Sequence, residues 1–276
     1  MAAYEAMLGL WPIPHCSLHV VTRWGSTHVV AAGPAGAPAL LLLHGMGLSA
    51  TMWFSNVADW SRHYRLYAVD TIGSPGKSVA VKPLRGSADW ARWLGDVLDG
   101  LQIAQCDLVG HSHGGWLALN LGLRVPERVE RLVLLAPAAS FVPLVPRFYL
   151  QGIPMLLLPR RLWITRFMRW MTAEGFVVDE RFVTQFVLGI RYLPPRGTFP
   201  TVFSDRELGQ IGAHTLLLVG EKEVLYNPWR AVNRARRRMP HLQADVVPNA
   251  SHGLPMEQPA WVNERVLRYL GQGQVP

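Results

Sequence analysis

The chain has 276 residues, half of them hydrophobic and only 17% charged, so one sizeable folded domain is expected, with or without an insertion, and a disordered chain is excluded. The net charge of +8 comes mainly from arginine, since only Lys77, Lys82 and Lys222 are lysines. Its one dense run, Arg234 with Arg236, Arg237 and Arg238, has no reader motif beside it, so it reads as a solvated helix face and no nucleic-acid partner is expected.

The opening "MAAYEAMLGLWPIPHCS" lacks a basic start, and Pro12 and Pro14 break its apolar run, so it is not read as a signal peptide. The apolar runs "PALLLLHG" and "IPMLLLP" are too short to cross a bilayer, and Cys16 and Cys106 make no disulfide framework. A cytoplasmic protein without stable membrane insertion is expected. Residues 18–32 read as two extended segments joined at Trp24-Gly25-Ser26. "ALLLLHG" (39–45) is a continuous apolar run, as a buried central strand requires. The spacing predicts a helix over 49–62 capped by Ser49, and a strand over 65–73. A helix over 87–103 is predicted from Trp90, Trp93, Leu94, Val97, Leu98 and Leu101 sharing one face, with Ser87 as its N-cap.

Strand 106–110 then leads into helix 113–124, and 129–137 is a further buried strand. The last strands, 214–220 and 242–248, are each followed by a helical pattern, at 228–239 and about 257–270. Alternation of this kind means a mostly parallel sheet covered by helices on both faces, with the first hairpin adding antiparallel strands at one edge. Residues 141–206 carry no buried-strand pattern but many aromatics at helical spacing. They are expected to form a helical cap inserted into a core of residues 1–140 and 207–276, with a minority of those aromatics facing a cavity.

Between strand 106–110 and helix 113–124 lies Gly110-His111-Ser112-His113-Gly114, which fits G-x-S-x-G in the strand–turn–helix context that gives the pattern meaning. The turn presents the Ser112 hydroxyl at a helix N-terminus, where the His113 N–H faces an attacked carbonyl oxygen. His111 and His113 diverge across the turn and lie near no other ligand cluster, so neither a metal pair nor the catalytic base is read there. The base is expected at His252, in the loop after the last strand. The acid belongs after the preceding strand, where Glu223 is preferred three residues past Gly220 and Glu221 is the alternative. A second oxyanion donor is expected at the Met46 N–H within His44-Gly45-Met46-Gly47, with His44 a structural hydrogen-bonding residue.

With "LLHGMG" at 42–47, "DTIGSPGKS" at 70–78, "GHSHGG" at 110–115, "VGEKEVLYNP" at 219–228 and "NASHGLPMEQP" at 249–259, the chain resembles the α/β-hydrolase fold family over nearly its full length. Within it, "RVPERVERLVLLAPAASFVPL" and "GEKEVLYNP" look most like small bacterial carboxylesterases with a helical cap. The resemblance implies a mostly parallel eight-stranded sheet, a triad of Ser112, Glu223 and His252, and Met46 and His113 as oxyanion donors. Carboxylic ester hydrolysis through an acyl-enzyme is then expected, on a small and hydrophobic ester, by a monomer or homodimer that needs no metal or organic cofactor. The scaffold also hosts lactonases, amidases, thioesterases, acyltransferases, C–C hydrolases, haloperoxidases and ligand sensors. Two departures stand out: the family's acid is usually Asp where Glu223 stands, and "DTIGSPGKS" is one residue longer than the common D-x-x-G-x-G-x-S.

Overall fold

The computed structural model describes residues 1–192 and 199–272. A short helix α1 (Ala2–Leu8) precedes the hairpin of β1 (His15–Thr22) and β2 (Gly25–Ala32). Strand β3 (Ala39–Leu43) leads through a 3₁₀ turn (Ala50–Ser55) and helix α2 (Val57–Trp60) to β4 (Arg65–Val69) and the two-residue β5 (Val79–Ala80). Then come α3 (Ser87–Gly100), β6 (Cys106–His111), α4 (His113–Arg124) and β7 (Val129–Leu135). Helices α5 (Pro146–Leu157), α6 (Arg161–Met171), α7 (Glu180–Arg191) and α8 (Asp205–Gly209) separate β7 from β8 (His214–Gly220). The chain closes with α9 (Pro228–Arg238), β9 (Leu242–Val247), α10 (Leu254–Glu257) and α11 (Pro259–Leu270).

The sheet runs β1-β2-β4-β3-β6-β7-β8-β9, the expected eight strands, with β5 as a ninth paired to β2. Pairing is parallel from β4 to β9 and antiparallel around β2. Leu40 to Leu43 and Leu216 to Val219 are fully buried, because helices cover both faces and every side chain of a central strand meets apolar neighbours. Alternate residues divide between two cores: Leu40, Leu42, Leu216 and Leu218 pack with α1, α2 and α11, while Leu41, Leu43, Leu217 and Val219 pack with α3, α4 and α9. That period of two is what a β-strand imposes.

Several expectations are corrected. The hairpin turns at Arg23-Trp24, one residue earlier than read. The single helix expected over 49–62 is two short pieces, because the buried Asn56 interrupts it to donate from Nδ2 to Pro255 O and Asn263 Oδ1. Ser49 does accept from the Thr51 N–H, as a cap should. Ser87 is the first residue of α3, not its cap; its hydroxyl accepts from Arg124 instead. The arginine run on α9 is not simply a solvated face. Arg234 pairs with Asp205 and donates to the carbonyls of Phe141 and Phe203, and Arg236 donates to Ala244 O. Nothing in the sequence reading anticipated α1, whose Tyr4, Met7 and Leu8 are buried.

Helices α5 to α7 lie over the C-terminal ends of the strands, and the segment's ends meet where the Phe203 N–H donates to Ser140 O. Among the described residues no helix is long and apolar enough to cross a membrane.

Candidate active site

Strand β6 drives six buried residues to the elbow, where Ser112 sits at φ 53° and ψ −114° before α4 begins. That left-handed backbone costs on the order of 1–3 kcal/mol for a non-glycine residue, and it is held by hydrogen bonds from Ser112 N to Leu135 O and from Trp116 N and Ala138 N to Ser112 O. The glycines make the approach possible. A Cβ on Gly110 would lie 2.3 Å from Gly114 O, and one on Gly114 would lie 2.0 Å from Leu43 O. Gly114→Ala is therefore expected to destabilise the fold by about 3 kcal/mol or more, read as a lowered melting temperature.

The expected residues come together. His252 Nε2 lies 2.9 Å from Ser112 Oγ, and His252 Nδ1 lies 2.8 Å from Glu223 Oε2. The second carboxylate oxygen of Glu223 accepts from the Leu225 N–H at 2.9 Å, which fixes its rotamer. With the side chain of Glu223 fully enclosed, the charge can orient only the imidazole and the Leu225 amide. Glu221 does something else: its Oε2 accepts from the Asn249 N–H, holding the turn before the His252 loop. The extra methylene of Glu relative to Asp is taken up within the β8–α9 loop, and the hydrogen bond to His252 keeps an ordinary length.

Neither His111 nor His113 hydrogen-bonds to a side chain of the relay, as the divergence across the turn implies. His111 Nε2 donates to the carbonyl of His252 at 2.8 Å, and His113 stacks on Trp116 with its edge to Trp90. Burial first, then nearby imidazoles, push both rings down to about 3 from an ordinary 6.5. In the unfolded chain each takes a proton near 6.5, so the stability present above that pH is lost as pH falls toward 3. Unfolding free energies from urea titrations should decline across this window by up to about 1.4 kcal/mol per pH unit for each ring, and His113→Phe should flatten the slope by one ring's share.

His44 is structural, as expected. Its Nδ1 donates to Gly45 O and its Nε2 accepts from the Thr71 N–H, shaping the turn that carries Met46. Met46 and His113 both border the cavity beside Ser112. The His113 N–H is the first of α4, so it has no carbonyl within its own helix to bond.

A cavity of about 330 Å³ opens from Ser112 and His252 to the underside of α5, α6 and α7. Phe148, Met155, Phe167, Met168, Phe182 and Phe186 supply much of its wall, and almost all of the lining is apolar. Of the twelve aromatics over 141–206, Phe148, Tyr149, Phe167, Phe182, Phe186 and Phe199 line it, half rather than a minority. A cover of only three helices has little interior of its own, so inward-facing rings become cavity wall.

Two anchors escaped the sequence reading. Gln185 on α7 donates to Ser49 Oγ and accepts from Thr51 Oγ1. The carboxylate of Glu257 accepts from the Ser251 N–H beside His252 and from the Ala173 N–H after α6. Both tie the covering helices to loops of the site. In the lengthened loop after β4, Asp70 accepts from Ala50 N, Lys77 N and His28 Nδ1, and Pro75 packs against Gly189 of α7 without lining the cavity. Burial alone would raise the Asp70 carboxyl, but those donors hold it below its ordinary value.

Hydrogen-bond distances alone do not make a triad. Ser17 Oγ lies 3.0 Å from His28 Nε2, and His28 Nδ1 lies 2.9 Å from Asp70 Oδ2. Ser17, however, stands within β1, at no helix N-terminus, and none of the three lines the cavity. Ser112 has both.

Residues 40–265 match the alpha/beta hydrolase family, and the chain belongs to it. It is 42% identical to the uncharacterized carboxylesterase nap of Bacillus subtilis (strain 168), over 96% of this chain and 90% of that protein. Among crystal structures, carboxylesterase CesB (YbfK) from Bacillus subtilis superimposes with a TM-score of 0.94 at 39% identity, covering 99% of this chain and 97% of that one. The naproxen esterase (carboxylesterase NP) from the same organism gives 0.92 at 41% identity, covering 98% and 96%.

Proposed function

We propose that this chain is a carboxylesterase in which Ser112, His252 and Glu223 form the catalytic triad. The observation that carries the reading is the continuous relay from Glu223 Oε2 to His252 to Ser112 Oγ, at 2.8 and 2.9 Å, opening onto an apolar cavity. His252 Nε2 takes the Ser112 proton as Oγ bonds to the ester carbonyl carbon. The carbonyl π electrons move onto its oxygen, which receives the N–H groups of Met46 and His113, each donor contributing about 3 kcal/mol in the transition state. The imidazolium, oriented by Glu223, returns the proton to the departing alkoxide as the C–O bond breaks. Water then attacks the acyl-enzyme by the same route and releases acid and free serine.

Relatives named as carboxylesterases at 39–42% identity over nearly the whole chain support an ester as the substrate. The apolar wall favours an uncharged, hydrophobic ester, since a charged group would lose its hydration there without a partner. Residues 141–206 act as a cap over the site, an assignment supported by the Ser140–Phe203 closure at its base. The same reading places the protein in the cytoplasm as a monomer or homodimer.

Labelling with a fluorophosphonate, followed by peptide mapping, tests the nucleophile without guessing a substrate. Modification of Ser112 alone is the expected result; a label elsewhere, or none, overturns the reading.

A further inference from the structure

Helix α5 presents apolar side chains to both sides. Gly152 and Met155 are buried beneath it, yet Tyr149, Leu150, Ile153, Leu156 and Leu157 are 47–74% exposed. Their spacing of i, i+1, i+4, i+7 and i+8 gathers them into one outward stripe. Leu158 and Leu162 extend it toward α6, at 51% and 69% exposure. A contiguous patch of this kind marks a surface that meets something other than water, unlike the isolated Val21 and Trp229 elsewhere.

Charge says what covers it. Residues 141–192 carry seven arginines against Glu174, Asp179 and Glu180, an excess of four. Arg161 and Arg181 pair with Glu180 and Asp179, but Arg160, Arg166 and Arg169 are exposed and make no ion pair among the described residues. A second copy docked face to face would set this excess against itself. An anionic lipid surface complements it, and takes up leucine and tyrosine at its headgroup boundary.

We propose that the outer face of α5, with the α5–α6 corner, docks the protein peripherally on an anionic lipid bilayer. Tyr149, Ile153 and Leu156 also line the cavity that holds Ser112, so the docked surface adjoins that cavity along α5. On the esterase reading, esters dissolved in the bilayer are then the substrates nearest to hand; the docking itself does not depend on that reading.

The test is co-sedimentation of the full chain with vesicles of phosphatidylcholine alone and of phosphatidylcholine mixed equally with phosphatidylglycerol. Leu150→Glu/Leu157→Glu is the variant, since neither residue lines the cavity. Binding to the anionic vesicles should exceed that to the neutral ones roughly tenfold at low salt, and the variant should lose about tenfold while hydrolysing a soluble short ester as before. Equal binding to both vesicles, no binding, or a variant that binds like the parent overturns the proposal. So does a solution dimer that the variant dissolves, which would give the face to a second copy. Sedimentation reads no turnover, so Ser112→Ala should bind like the parent, and failure of docking leaves the esterase reading untouched.

Discussion

Ser112→Ala is expected to lower kcat/KM for a p-nitrophenyl ester by roughly 10⁵-fold while leaving the fold unchanged. The hydroxyl is the atom that bonds to the acyl carbon, and neither His111 nor His113 presents a substitute nucleophile at the elbow. Stability should not move, because Ser112 Oγ bonds only to His252 Nε2, and the backbone bonds that hold the turn do not involve it. Alanine also bears the same left-handed strain as serine. Ser112→Gly should be equally inactive but more stable, since glycine adopts φ 53° without that cost. The sharper signature is non-additivity. His252→Ala removes the proton acceptor that makes the hydroxyl reactive, so Ser112→Ala/His252→Ala should be scarcely worse than either change alone. Independent, multiplying losses would mean that the two side chains do not act as one unit.

What could be read from sequence was what local pattern encodes. The apolar strand before Gly110 and the helix after Ser112 place the elbow, and the loops after "LLLVG" and "DVVP" place Glu223 and His252 on the same edge of the sheet. The features missed are those in which distant segments decide. Helix α1 has only seven residues, too few to persist alone, and exists because Tyr4, Met7 and Leu8 bury against the core. Asn56 breaks its helix for partners about 200 residues away in sequence. Glu257 and Gln185 act through bonds to residues far along the chain, and neither sits in a motif that announces it. The outward stripe of α5 was hidden for a different reason. Periodicity shows that a helix has an apolar face, but only packing shows how much of that face stays uncovered.

Glu223→Gln is expected to reduce kcat by roughly 10⁴-fold with little change in KM, because Glu223 borders His252 and not the cavity. The carboxylate accepts twice, from the His252 Nδ1–H and from the Leu225 N–H. An amide has one oxygen for these two donors. If that oxygen keeps the Leu225 N–H, the NH₂ faces His252 Nδ1 and forces the proton onto Nε2, where it blocks uptake of the serine proton. If the amide flips, the NH₂ opposes the Leu225 N–H and the loop loses its brace. Glu221→Gln should cost less than about tenfold, since its one bond, from the Asn249 N–H, can still reach an amide oxygen. Glu223→Asp falls between, keeping the charge but shortening the reach by a methylene to an imidazole whose backbone carbonyl is already anchored by His111. Pre-steady-state acylation rates for the three variants separate these outcomes. Equal losses for Glu221→Gln and Glu223→Gln would mean that the His252 loop depends on both carboxylates for its position, and that the charge beside Nδ1 is not what sets the imidazole's tautomer.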